Sequence, residues 1–116
     1  MYKRSVALLA CFVSTFAWPQ EFSAQALLGR WEFTAYAEAS SPQERTPVGV
    51  LFEFRTGGVL VTKTSTGDVE AKYTVNGNTV TYSDARGEQP WRILEFKPDV
   101  SIVIDNRGTL MYLERR

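Results

Sequence analysis

The chain has 116 residues, with 13 basic and 13 acidic side chains and a formal net charge of zero. This length predicts one domain, and the balanced charge argues against a nucleic-acid surface, which would show a clustered basic excess. The sequence has no histidine and one cysteine. A conventional catalytic triad is therefore excluded and a zinc site is disfavoured, so we expect no enzyme, no metal and no cofactor.

Residues 1–26 have the pattern of a secretory signal peptide. Lys3 and Arg4 form a positive n-region, an apolar run covers 5–18, and Ala24 and Ala26 supply the small residues of a cleavage site. The apolar run of about 14 residues is shorter than the roughly 20 that span a bilayer. We predict a signal peptide over 1–26, a domain over 27–116 with no transmembrane segment, and a periplasmic or secreted protein.

Cys11 leaves a second interpretation of the leader open. The segment 8–11, Leu-Leu-Ala-Cys, faintly resembles a bacterial lipoprotein box. The apolar run continues into Phe12 and Val13, where lipoproteins have a polar tether, so cleavage near Ala26 is favoured over lipidation. Without Cys11 the mature chain has no disulfide, although the predicted compartment would allow one.

The rest of the chain alternates apolar and polar residues with a period of two, which is typical of β-strands. Trp91, Ile93 and Glu95 share one face in this pattern, so Glu95 is expected to point inward. Most links are short and rich in turn residues, as at Asn76-Gly77, and Pro98-Asp99 suits a type I turn. Neighbouring strands are therefore antiparallel. The prediction is an all-β, eight-stranded antiparallel up-and-down (meander) barrel, with strands over 30–38, 48–55, 59–65, 69–75, 79–83, 91–97, 100–105 and 109–115.

Two links, 39–47 and 84–90, are predicted to be longer than the others. Alternate links of a meander lie at the same end, so both belong to one end, a looser mouth, while tight turns close the opposite end, a floor. Charged residues on flexible loops are solvated by default, but here they are also candidate contacts for a protein partner. These candidates are Glu44, Arg45, Asp84, Arg86 and Glu88.

The start and the end of the predicted barrel resemble the small bacterial lipocalin-like domains of the calycin type. The resemblance is carried by Gly29-Arg30-Trp31 and by the final run 108–115. It implies a lipocalin-like barrel in which Trp31 is a structural plug under Arg115 or Arg116, held by a cation–π contact. The chain is shorter than a full lipocalin and lacks the disulfides and C-terminal helix of many members, which argues against a large internal cavity.

Small residues near the predicted mouth suggest a shallow pocket. Ala35, Ala37 and Ala71 are expected to face inward there. Eight strands leave an interior that is either filled by side chains or wide enough for one small ligand, and both alternatives stay open. Trp91 fits ordinary core packing or an aromatic wall of the pocket. The candidate ligand-binding residues are Ala37, Ala71, Tyr82, Trp91 and Leu110.

The predicted function is that of an exported lipocalin-like binding protein, with a small apolar or amphipathic ligand at the open end of the barrel. The alternative is a protein-interaction module, such as an inhibitor or immunity-type protein for a secreted hydrolase or toxin. A purely structural envelope domain is a third possibility.

Overall fold

The computed structural model describes residues 22–116, so Cys11 and most of the predicted signal peptide lie outside the described residues. One short helix precedes eight strands. Their bounds are α1 (Ala24–Leu27), β1 (Gly29–Glu38), β2 (Thr46–Arg55), β3 (Val59–Thr64), β4 (Gly67–Asn76), β5 (Thr79–Asp84), β6 (Gly87–Lys97), β7 (Ser101–Asn106) and β8 (Thr109–Arg115). Over residues 22–116, no helix is long and apolar enough to cross a membrane.

The eight strands form a closed barrel in sequence order. Each strand pairs antiparallel with the next, and β1 closes the cylinder on β8 from Trp31↔Arg115 to Glu38↔Thr109. The predicted eight-stranded antiparallel meander is confirmed. Closure pairs the first strand with the last and removes most of the unpaired sheet edge, which is the usual template for aggregation.

The two ends of the barrel are built differently. The floor holds α1 and the links 56–58, 77–78 and 98–100, and the mouth holds the links 39–45, 65–66, 85–86 and 107–108. The predicted long link after β1 is present, but the other three mouth links have two residues each. The mouth therefore has only one link that is longer than those of the floor, the link 39–45.

The prediction of a long loop over 84–90 is wrong. β5 runs to Asp84 and β6 begins at Gly87, so a two-residue turn joins them. The Asp84 carboxylate accepts a hydrogen bond from the Arg86 backbone N–H at 2.9 Å, which stabilises the turn. Pro90 is tolerated inside β6 because pairing with β7 begins only at Arg92, so this stretch of β6 has a partner on one side alone.

Two β-bulges shift the alternation on which the inward faces were predicted. One lies between Phe33 and Ala35 in β1 and the other between Ile93 and Glu95 in β6. An extra residue reverses the face of every side chain beyond it. Phe96 therefore packs against the core, and Glu95 is exposed rather than inward.

The turn at Pro98-Asp99 also differs from the prediction. Asp99 has a φ of +65°, and Val100 N–H donates to Lys97 C=O at 3.0 Å. A positive φ at the second central residue belongs to a type II turn, not to type I. This turn closes the floor beside the last residues of the chain, because Arg115 N–H donates to Val100 C=O.

A single hydrophobic cluster fills the barrel. It takes at least one buried side chain from every strand, together with Leu27 of α1. The aromatic side chains are in mutual contact across the interior, with Phe52 lying 5.6 Å from both Phe33 and Trp91 between ring centroids. The interior is therefore occupied by side chains, as in the filled-barrel alternative, and one open groove lies at each end.

Candidate functional site

The floor is closed by a cluster around Trp31, which is fully buried. Arg115 Cζ lies 3.9 Å from the centroid of the Trp31 ring, which is one of the two contacts, with Arg115 or with Arg116, that the resemblance implied. The Trp31 indole N–H donates to Leu27 C=O at 2.8 Å. The Arg115 guanidinium donates to Leu28 C=O at 2.7 Å and to Ala26 C=O at 2.9 Å, so the last strand holds the helix over the end of the barrel.

The mouth carries an open groove of about 460 Å³ between β3, β4 and β5. Its walls combine apolar surface with charged and hydroxyl groups. They are formed by Thr62, Val69, Glu70, Tyr82, Asp84 and Arg86. Val69 is 52% exposed, which leaves a bare aliphatic surface next to polar groups. The groove therefore combines exposed aliphatic surface with polar and charged groups.

An aromatic stack forms the base of the mouth groove. The Tyr82 ring lies parallel to the Trp91 ring, with centroids 5.1 Å apart and an interplanar angle of 11°. Trp91 is buried, and its Nε1 has no hydrogen-bond partner in the described part of the chain. Phe52 packs behind Trp91, so Tyr82 presents a firmly supported ring to the groove.

The polar rim of the groove has a fixed charge pattern. Arg86 donates to the Asp84 carboxylate at 3.0 Å, and these hydrogen bonds lower the pKa of Asp84 below its usual value. Burial raises the pKa of the Tyr82 phenol, and the Asp84 carboxylate raises it further because it disfavours a second negative charge. At neutral pH the groove therefore presents a phenol hydroxyl beside a carboxylate that is already paired with an exposed guanidinium.

The structure brings Tyr82 and Trp91 together at the mouth, whereas Ala37 and Leu110 lie elsewhere. Because of the bulge in β1, Ala37 pairs with Leu110. Leu110 precedes the core residue Met111 in β8. Ala37 is buried, with 2% exposure, but neither Ala37 nor Leu110 lines the mouth groove. Ala71 is buried beside Leu60 but does not line the mouth groove.

The charged candidates at the mouth divide into two groups. Asp84 and Arg86 line the groove. Glu88 lies in β6, where its C=O accepts a hydrogen bond from Arg107. On the link 39–45, Glu44 is exposed and Arg45 lies 3.8 Å over the Tyr112 ring, so this link folds against the outer wall.

Sequence reasoning missed Thr62 and Val69 as groove residues. The Thr-rich β3 gives no clear inward parity, so Thr62 carried no signal. Val69 shares the alternation of Ala71 and Tyr73, and a search for large apolar residues at the mouth end of that face would have found it. Over residues 22–116, no group of three or more acidic, histidine or cysteine side chains is placed to hold a metal ion.

A second groove of about 400 Å³ lies at the floor, between α1 and the β2–β3 link. Its lining includes Gln25, Leu28, Gly57 and Tyr73. The Tyr73 hydroxyl already donates to Arg55 C=O at 3.0 Å, so it is not free for a ligand. One wall of this groove is formed by Ala24 and Gln25 of α1.

Two solved structures share the fold. A lipocalin-like protein from Bacteroides uniformis superposes with a TM-score of 0.64 at 15% sequence identity, covering 78% of this chain and 99% of that one. An uncharacterized protein from Bacteroides eggerthii superposes with a TM-score of 0.63 at 12% identity, covering 77% and 98%. No family profile and no curated protein matches the sequence. The described domain has a lipocalin-like barrel fold.

Proposed function

We propose that this lipocalin-like barrel is an exported binding protein that holds a small apolar or amphipathic ligand in the mouth groove, and that it performs no catalysis. The observation that carries the proposal is the Tyr82 ring, stacked on buried Trp91 and facing an open groove beside exposed Val69. Of the candidate ligand-binding residues predicted from the sequence, the proposal keeps Tyr82 and Trp91. Trp91 acts from beneath, by supporting the ring that the ligand contacts.

The size of the groove supports a shallow mode of binding. Small-molecule sites occupy about 300–1,000 Å³ and combine apolar walls with a few polar groups. The mouth groove falls in this range at about 460 Å³, but it is open, and the interior beneath it is filled. One alkyl chain or one ring would lie across Tyr82 and Val69, where each Å² of apolar surface removed from water contributes about 25 cal/mol.

The rim indicates how such a ligand would be oriented. Asp84 is mostly covered, with 14% of its side chain exposed, whereas 78% of the Arg86 side chain is exposed. An anionic or hydroxyl head group would therefore meet the Arg86 guanidinium first. The apolar part of the ligand would point away from that rim and toward Val69.

A titration with lauric acid tests the proposal, followed by native mass spectrometry and by tryptophan fluorescence. We expect one molecule bound per chain, with binding weakened at least about tenfold by Tyr82→Ala, which corresponds to about 1.4 kcal/mol. Tyr112→Ala is the matched control, because Tyr112 lies on the outer wall under Arg45. Butyric acid, with the same head group and little apolar surface, is expected not to bind. Equal affinity of both tyrosine variants would contradict the proposal.

A protein partner is the second candidate, and the filled interior favours it. The link 39–45 is also well fixed, by Ala39 N–H donating to Gly108 C=O at 2.8 Å and by Arg45 over Tyr112. A fixed, exposed loop is what an inhibitor inserts into a cleft. Native mass spectrometry of protein purified from its source distinguishes the two candidates, since a stoichiometric protein partner that is lost with Glu44→Arg would favour this one.

A further inference from the structure

The residues just before β1 are an integral part of the floor, although they fall at the end of the predicted signal peptide. Leu27 is 1% exposed and belongs to the core cluster. Phe22 packs edge-on against Phe96, with ring centroids 5.2 Å apart. The Ser23 hydroxyl caps α1 by accepting from Ala26 N–H at 3.1 Å, and the Ala26 carbonyl accepts from Arg115.

Cleavage after Ala26 would place a new charged group in this buried cluster. The α-amino group of Leu27 would carry a positive charge over much of the neutral range, since such groups have a pKa near 7.7–8.0. Leu27 N–H now donates to Ser23 C=O, and that acceptor would be gone. Arg115 would lose its Ala26 acceptor at the same time. Two cations near one another, with fewer partners and little water, are strongly unfavourable.

We propose that the export signal is cleaved between Ala17 and Trp18, so that the mature protein keeps residues 22–27 as the lid of its floor. Thr15 and Ala17 place small residues at the two positions that a signal peptidase reads, and the apolar run 6–13 has the length of an h-region. The inference rests on the proposed export. It also assigns the floor groove to the mature protein, because Ala24 and Gln25 line it.

The cleavage position is tested by expressing the full chain in a bacterial host that exports it and measuring the intact mass of the exported protein. We expect a chain that begins at Trp18. We also expect Ala17→Asp to block processing and Ala26→Asp to leave it unchanged. A chain beginning at Leu27 would overturn this inference while export stands, and so would a lipid-modified chain beginning at Cys11. An unprocessed chain would overturn both this inference and export.

The structural part of the inference is tested without export. Chains beginning at Trp18, at Phe22 and at Leu27 are released from a fusion partner with no extra residues, and their thermal unfolding is compared. We expect equal Tm values for the first two and a Tm lower by roughly 10 °C for the third, or failure of the third to fold. Equal Tm values for all three would overturn the inference. Ligand binding by the chain that begins at Trp18 is measured separately and does not depend on the outcome.

Discussion

The floor and the mouth of this barrel contain similar residues in different surroundings. Each has a buried tryptophan, but Trp31 at the floor has its indole N–H bonded and its ring covered by Arg115, whereas Trp91 beneath the mouth has an unpartnered Nε1 and supports an exposed tyrosine. At the floor, the Arg115 guanidinium covers the Trp31 ring and donates to two carbonyls, although its Nε has no partner in the described part of the chain. At the mouth, the Tyr82 ring and Val69 border an open groove. The difference indicates that the floor contacts stabilise the fold, and it supports the proposal that the mouth is the binding end.

The largest expected effect separates the two tryptophans. Trp31→Phe removes a donor from the buried Leu27 carbonyl and shrinks a fully buried side chain, so we expect a loss of about 2–3 kcal/mol of unfolding free energy. Trp91→Phe also shrinks a buried side chain, but it removes an N–H that has no partner, so its cost should be lower than that of Trp31→Phe by about 1 kcal/mol. Urea denaturation of both variants measures the difference. Equal losses would show that the two ends are not distinguished in this way.

A pair of glycines gives the next effect. Gly29 and Gly87 have similar φ values of +116° and +120°, but a Cβ on Gly29 would lie 2.7 Å from Arg115 Nη1, whereas a Cβ on Gly87 meets nothing within 4 Å. Gly87→Ala should cost about 1 kcal/mol through backbone strain alone. Gly29→Ala should cost about 2–3 kcal/mol, because Arg115 must also give up carbonyl hydrogen bonds. Unfolding curves that place Gly87→Ala at the greater loss would contradict the role given to Arg115.

Two exposed valines, one at each end, allow the mouth and the floor to be compared by ligand binding. Val69 at the mouth is 52% exposed and Val100 at the floor is 58% exposed, so a charge at either position should be tolerated by the fold. Val69→Glu places a carboxylate in the groove and should weaken lauric acid binding about tenfold, or about 1.4 kcal/mol. Val100→Glu should leave binding unchanged. If Val100→Glu is the variant that loses binding in a fluorescence titration, the ligand site is at the floor.

The smallest expected effect concerns pH. At the mouth, the Gly108 N–H and the Arg92 guanidinium hydrogen-bond to the Asp105 carboxylate and lower its pKa. Its contribution to stability is therefore present above the unfolded pKa of about 3.9 and is lost as the pH falls through the lower folded value. The Tm advantage of the native protein over Asp105→Asn should shrink as the pH falls from 7 to below about 3.

A floor variant provides the control for that pH dependence. Arg115→Met removes hydrogen bonds to the Leu28 and Ala26 carbonyls, and carbonyl oxygens do not titrate. Its Tm deficit should therefore be nearly the same at pH 7 and pH 3. A deficit that disappears in acid would mean that a carboxylate takes part in the floor.

The strand pattern was predictable because each strand buries one face, and alternation reports that directly. The bulges at Phe33/Ala35 and Ile93/Glu95 were not, because a bulge is set by pairing with the neighbouring strands and leaves no mark in its own strand. That is why Glu95 was assigned to the wrong face. The short turn after Asp84 was missed because Asp-Ala-Arg-Gly lacks the Asn-Gly signature and Pro90 reads as a strand breaker.

The structure of the floor was also more predictable from the sequence than the structure of the mouth. The contact between Trp31 and Arg115 followed from a resemblance and a strand count, since the first and last strands must meet at one end. The shape of the mouth groove depends on which side chains lie next to one another near the rim. The register between neighbouring strands sets this, as in the pair Thr62↔Val69. The helix α1 was not predicted, because four residues carry no period and these ones resemble a cleavage site.

The most direct measurement of the difference between the ends is a map of backbone amide shifts by NMR during titration with lauric acid. Binding at the mouth predicts saturable shifts at Thr62, Val69, Tyr82 and Arg86, with the amides of Trp31, Gly57 and Arg115 unchanged. Shifts centred on the floor groove, or no saturable shift at either end, would contradict the assignment of binding to the mouth.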